Sequence, residues 1–425
     1  MQVKLSEKIL TMILLLISVG ALAIKPAQEI SSAPLGGAII DTLLNAVSYA
    51  ILIYFILCRW KGFVYVGSKG VLQLLLLGLI IFSVLWSADM GSSLTYLRGL
   101  IRIYLLAIYL AMRYTIKEQM RLIAIALGTS AVLSIVFSSI PSFGGIHTAP
   151  ELAGMWSGIF GHKNELGYMM AWSAGISSHL ALSINRFRWL LWAIFSISVC
   201  LIILSQSTTS LMILLTMISL LPFYRMIRKT NYKLQVITIS FALMLLIGIS
   251  MLLLGNAESV VGASGKDLTL NGRTDLWEFI IAKIFERPWF GYGFYGFWDS
   301  GVAQSLRREH PWASNAHNGF LEMILELGIV GFLLFAAGLV RFVIMALNRI
   351  VSVAKKPEDY WCMQMLVIIL VINFSEARLL GPSWNWLMYI TMSLSLTISE
   401  HMNKKKAVLV MPQSTGFLTN IQEAN

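Results

Sequence analysis

Charge is scarce in this sequence. Only 12% of its 425 residues are Asp, Glu, Lys or Arg, against about a quarter in an average soluble domain, and the mean hydropathy is +0.75. An ordinary soluble domain is excluded. Cysteine is also scarce: Cys58, Cys200 and Cys362 have neither metal-ligand nor disulfide spacing, so they lend no support to redox chemistry and read as small apolar packing residues. No G-x-x-x-x-G-K-S/T run exists to cradle nucleotide phosphates, which sets aside an ATP-driven transporter. D-x-D and H-E-x-x-H runs are missing and His147, His162, His310 and His317 are scattered, so no metal centre and no cofactor are expected. A G-x-S-x-G elbow is missing too. The net charge of +11 comes with no aromatic-plus-basic groove, so a nucleic-acid partner is not expected.

What the chain does have is apolar runs. About twelve are long enough, near the ~20 residues a hydrocarbon core requires, centred on 9–24, 38–58, 71–86, 99–112, 122–140, 166–184, 189–204, 209–223, 234–254, 319–340, 360–375 and 384–399. The expected fold is an all-α integral membrane protein with about 12 transmembrane helices and a large external loop containing short helices. Placing the N-terminus in the cytoplasm puts 21 of the 32 lysines and arginines in inside loops and ends, as the positive-inside rule demands. The expected division is 1–254 with nine helices, 255–316 as the large loop, 317–400 with three helices, and 401–425 as a cytoplasmic tail. Lys4, Lys8, the apolar run and Ala21-Leu22-Ala23 resemble a signal peptide. Retaining that helix keeps an even number of spans and both termini inside.

The inside loops are too short to fold a domain, whereas 255–316 is a long polar stretch, and loops of that length are usually functional. Within it, Leu276, Phe279, Ile280 and Ile284 recur at helical spacing, with Thr274 or Asp275 as cap and Pro288 as stop. Gly291-Tyr-Gly-Phe-Tyr-Gly-Phe-Trp298 matches G-x-G-x-x-G in form, but no βαβ unit surrounds it. Its rings suit either stacking on sugars or anchoring in the membrane interface, and the second is favoured.

Eleven basic residues fall outside the inside loops, against the topological tendency. Arg98 and Arg102, at i and i+4, share one helix face. Snorkelling to headgroups explains one arginine, while two on a face also suit an anion such as a lipid-linked pyrophosphate. His162, Lys163, Asn164 and Glu165 lead into a helix and are costly to bury without partners; a polar cleft and a solvated helix start both fit, and Asn164 is the expected cap. Asn373, Glu376 and Arg378 end another helix, with Glu376 expected to pair with an arginine. The run His317-Asn318-Gly-Phe-Leu-Glu322 then opens the helix over 319–340, with Glu326 one turn beyond Glu322.

Five stretches together resemble the O-antigen ligase and Wzy-type polysaccharide polymerase superfamily, most of all its exopolysaccharide-polymerase branch. They are Gly158-Ile-Phe-Gly-His-Lys-Asn-Glu-Leu-Gly167, Asn271-Gly-Arg-Thr-Asp-Leu-Trp277, Pro288-Trp-Phe-Gly-Tyr-Gly293, Ala316-His-Asn-Gly-Phe-Leu-Glu322 and Asn373-Phe-Ser-Glu-Ala-Arg378, with Gly328-Ile-Val-Gly331 following at the ligase spacing. The resemblance implies a lipid-dependent glycosyltransferase in the bacterial inner membrane that takes glycans from undecaprenyl pyrophosphate on the periplasmic side without metal. Its acceptor would be a lipid-linked repeat unit in a polymerase, or lipid A core in a ligase. Membrane lipids, a flippase and a chain-length regulator are the implied partners. By position Arg273 and His317 match the family's functional Arg and His, with Glu322 as a second base or an orienter. Arg98, Arg102, His162, Lys163, Asn164 and Asn318 are the substrate-binding candidates. Thr208 departs from the pattern, because relatives often carry a basic residue there. A secondary transporter would instead show internal repeats and broken helices around a midplane site, and no clear repeat is present.

Overall fold

The computed structural model describes residues 3–22, 35–227, 273–310, 313–352 and 357–410. Among these residues there are thirteen α-helices: α1 Leu5–Val19, α2 Leu35–Lys69, α3 Val71–Ser83, α4 Met90–Arg113, α5 Ile116–Ser139, α6 Lys163–Ser183, α7 Arg188–Ser205, α8 Thr208–Ile227, α9 Arg273–Glu286, α10 Gln304–Glu309, α11 Gly319–Ser352, α12 Trp361–Ser375 and α13 Trp384–Val410. Five are long and apolar enough to cross a membrane, within α2, α4, α5, α7 and α11, and three shorter apolar helices accompany them. This is the build of a multi-pass membrane protein. The expected helix over 234–254 and the loop residues 255–272 lie outside the described residues.

The lining-up of helices follows from which faces are apolar. In α6 nearly every residue is buried, with Met170, Trp172 and Ala174 at 0% exposure, as a helix without a polar face requires. It packs against α5, α7 and α8, while α13 packs on α4. By contrast α2 leaves Tyr54, Leu57, Trp60 and Val64 exposed, an apolar face suited to lipid. Cys58 and Cys200 are exposed as well, and only Cys362 is buried as a packing residue should be.

The helix α11 is broken at Gly328, which has φ 65° and ψ −171°. The segment from Pro288 to Gly293 fits into the break. Tyr292 and Gly293 donate their N–H groups to the carbonyls of Leu325 and Glu326, both at 2.9 Å, and the N–H groups of Ile329 and Val330 donate to Pro288 and Trp289 at 2.8 and 3.2 Å. Backbone groups freed inside a membrane helix must find protein partners, and here the loop supplies them. This placement corrects the interface-anchor expectation: Tyr292, Phe294 and Phe297 are at most 1% exposed, so these rings are core. The exposed rings are Trp289 and Phe290, just before them.

The amphipathic helix expected after residue 272 is α9. Leu276 and Ile280 are fully buried, while Ile281 and Phe285 are exposed. It begins at Arg273, ahead of the expected cap at Thr274 or Asp275.

Candidate functional site

Each resembling stretch touches another. The Trp277 indole N–H donates to the Ala316 carbonyl at 2.8 Å, which docks α9 against the residue before His317. Gly319 faces Asn373 so closely that a Cβ there would sit 2.3 Å from the Asn373 amide oxygen. That oxygen also accepts the Arg378 N–H at 2.9 Å, fixing the turn after α12. Arg378 in turn forms an ion pair with Glu165 at the start of α6, and its guanidinium lies 4.8 Å from the centre of the Tyr168 ring.

These contacts surround a cavity of about 950 Å³. Its wall includes His162, Asn164 and Glu165 from the α6 end, His317 and Glu322 from the α11 end, Glu376 and Arg378 from the turn after α12, and Arg102 from α4. Tyr295, Trp298 and Asp299 from the loop, Tyr96 from α4, and Asp41 and Asn45 from α2 complete a polar and aromatic side. Tyr96 and Tyr295 stack with ring centres 3.7 Å apart.

Several candidates from the sequence therefore share one cavity and several do not. Arg98 is exposed and is not among the lining residues, so the two arginines on one helix face divide, with Arg102 alone reaching the cavity. Lys163 turns its ammonium to Met155, 2.9 Å from the sulfur, and is also not among the lining residues. Asn318 caps α11, its side-chain oxygen accepting from Phe320 and Leu321 at 3.0 and 3.1 Å. At α6 the cap is His162, whose Nδ1 accepts the Asn164 N–H at 3.2 Å. Asn164, the expected cap, instead directs its amide to Glu376 Oε1 at 3.5 Å.

Glu322 has both carboxylate oxygens engaged: Oε1 accepts from the Trp298 indole at 2.5 Å and Oε2 from the Ala316 N–H at 2.6 Å. It works as a tie between α11 and the two loop segments. His317 sits in left-handed backbone, φ 48°, which is uncommon outside glycine, although histidine enters it more readily than most residues, and which gathers at functional sites. The Asn315 side chain accepts its N–H at 2.9 Å. Its Nδ1 is 3.8 Å from Glu376 Oε2.

Burial by itself would raise the Glu376 carboxyl, but the interaction with His317 and the charges of Arg378 and Arg273 outweigh it and hold the group below the usual carboxylate range. Arg273 is half-buried at the first turn of α9 and outside the cavity lining; burial lowers its pKa, with Glu376 acting the other way. Burial, reinforced by His147, likewise depresses the pKa of His162. Among the described residues no three His, Cys, Asp or Glu side chains are grouped to hold a metal ion.

The O-antigen ligase family pattern matches residues 193–336, a stretch that contains Arg273, His317 and Glu322. The exopolysaccharide production protein ExoQ of Rhizobium meliloti is 30% identical over 301 residues, 66% of this chain and 67% of its own length. The chain belongs to the O-antigen ligase family. Two provisionally named polysaccharide ligases, from Rickettsia felis and Rickettsia conorii, are 32% and 29% identical over 109 residues, 24% of this chain and 26% of theirs. Sequence reasoning missed Asp41, Asn45, Tyr96 and Asp299 on the wall of this family member's cavity. Asp41 carried a usable signal, because a carboxylate at the edge of an apolar run is a functional candidate by default.

Proposed function

We propose that the protein is a polysaccharide polymerase that moves a growing glycan from undecaprenyl pyrophosphate to the next lipid-linked repeat unit. The observation that carries this reading is His317, in left-handed backbone, on the wall of a cavity that also receives Arg102 and Arg378. A sugar C1 joined to pyrophosphate is already activated. The enzyme must orient an acceptor hydroxyl and hold the charge of the leaving group. In this reading the hydroxyl oxygen bonds to C1, its proton passes to His317, and the C1–O electrons leave with the pyrophosphate. Arg102 inside the cavity and Arg273 beside it suit the phosphate oxygens through their planar guanidinium groups. Asp41, Asp299 and the Tyr96–Tyr295 pair suit sugar hydroxyls and ring faces, which accounts for carboxylates in a site that also takes an anion.

The reading also holds that the chain crosses the bacterial inner membrane twelve times, with both termini cytoplasmic, the cavity on the periplasmic side, and flippase and chain-length-regulator partners. The division into 1–254, 255–316, 317–400 and 401–425 belongs to it. Polymerase is favoured over ligase because the match that spans two-thirds of each chain is to a protein of exopolysaccharide production, a process that requires chain lengthening, while the matches to polysaccharide ligases span about a quarter. The break at Gly328 does not favour transport: the loop from Pro288 to Gly293 takes up its backbone groups, and Gly328 is not a lining residue.

Purified protein incubated with a synthetic lipid-pyrophosphate repeat unit should give a ladder of lengthening products. Arg273→Ala and His317→Ala should each lower the rate by roughly 10²-fold or more while the protein stays folded in the membrane. Product formed only after lipid A core is added would show a ligase. Movement of the lipid across vesicles without turnover would show a transporter.

A further inference from the structure

Glu376 is the carboxylate that the structure sets against His317. The two residues are 59 positions apart, and three elements bring them together: α6 contributes Asn164, α11 follows His317, and the turn after α12 carries Glu376. The His317 and Glu376 side chains are 20% and 15% exposed, with Nδ1 and Oε2 3.8 Å apart. Asn164 reaches the other oxygen of Glu376 at 3.5 Å. Arg378, the nearest guanidinium in sequence, is engaged by Glu165 and lies over Tyr168, so one Glu376 oxygen still faces the imidazole. Arg273 from α9 and His162 from the α6 end also interact with Glu376, and Glu322 from α11 shares the cavity wall, with both of its oxygens already accepting hydrogen bonds.

We propose that Glu376 is a positioning residue for His317: a small side-chain rotation that shortens their 3.8 Å ion-pair separation to hydrogen-bond distance lets it accept the Nδ1–H, so that Nε2 is left bare to take the proton of the acceptor hydroxyl. The hydrogen bond made by one ring nitrogen decides which tautomer the other presents. A carboxylate there also stabilises the imidazolium that forms, without taking the proton itself. The balance is complete within the proposed transfer: the O–H bond breaks, the oxygen pair bonds to C1, the proton rests on Nε2, and the C1–O pair departs with pyrophosphate. The inference rests on the polymerase reading for the identity of the hydroxyl, but not for the pairing.

Protein labelled with ¹⁵N-histidine and held in lipid nanodiscs tests the pairing directly. The signal of His317, one of six histidines, is identified by its loss in His317→Ala. At pH 8.5, where an ordinary imidazole is neutral, Nδ1 should be protonated and Nε2 bare in the wild type and in Glu376→Asp. Glu376→Leu should lose that preference. A wild-type ring protonated at Nε2, or a Glu376→Leu spectrum identical to wild type, overturns the proposal. With the synthetic lipid-pyrophosphate repeat unit, Glu376→Gln should lower kcat by roughly 10²-fold with KM within about twofold, and Glu376→Asp should recover part of the loss. Full activity in Glu376→Gln, or a change confined to KM, also counts against it. The spectrum needs no turnover, so the expected tautomer in a protein that makes no polymer sinks the polymerase reading and leaves the pairing standing.

Discussion

At the scale of single residues, polar side chains near His317 divide into those that reach the cavity free to act and those already committed to holding it. Glu322 lines the cavity, yet its oxygens accept the Trp298 indole and the Ala316 N–H, so its chemistry is used in positioning the residue before His317. Glu322→Gln replaces one acceptor with an amide donor facing another donor, and a buried donor left unsatisfied costs about 1–3 kcal/mol. The expected result is a lower thermal midpoint together with lower turnover, whereas His317→Ala should lose turnover with the midpoint nearly unchanged. Thermal unfolding in detergent beside the product ladder separates the two. The residue types needed for acid–base and phosphate chemistry were legible in the sequence at His317, Arg273 and Arg102. Which carboxylate lies opposite His317 was not: Glu376 reads from sequence as a partner for an outside arginine, and in the fold the charges of Arg378 and Arg273 act on it together with the His317 ring.

At the scale of elements, the short glycine-containing stretches matter because they let backbones meet. The break at Gly328 is the clearest case. A Cβ there would stand 2.2 Å from the Trp289 backbone, in addition to the strain of φ 65°. Gly328→Ala should therefore expel the segment from Pro288 to Gly293 and leave the break unfilled, reducing folded protein in the membrane and lowering its thermal midpoint. Gly78 in α3 provides the control, since a Cβ there meets nothing within 4 Å. Gly78→Ala should be neutral or stabilise by up to about 1 kcal/mol. Size-exclusion yield and thermal midpoint read both. Hydropathy announces a single helix over 319–340 because leucine and isoleucine continue through the break, and no local pattern says that a loop will enter it.

At the scale of the whole molecule, α1 joins two polar sites. Its C-terminal end, at Ser18 and Gly20, lines the cavity. Near its N-terminal end Glu7 accepts from Arg113 at 2.7 and 2.8 Å, from Arg59 at 3.3 Å and from Tyr109 at 3.1 Å. Eleven residues at 1.5 Å each put the two sites roughly 17 Å apart. The cluster binds α1 to α2 at its kink at Arg59 and to the end of α4. Glu7→Gln removes the charge that both guanidinium groups answer and should lower the thermal midpoint by the equivalent of about 1–3 kcal/mol, the size of charge-assisted hydrogen bonds lost, while KM for the lipid-linked repeat unit stays within about twofold. A shift in KM with an unchanged midpoint would refute this separation.

Local patterns along the chain were enough to tell that it is a helical membrane protein, where most of its helices run, and which short stretches carry the family resemblance, because hydropathy and helical period are local quantities. It took the packed helices to separate Arg98 from Arg102, to bury the aromatic loop in the core, and to bring Glu376 opposite His317. Those outcomes depend on how α4, α6, α9, α11 and α12 pack, and such packing joins residues far apart in the chain that no local spacing connects.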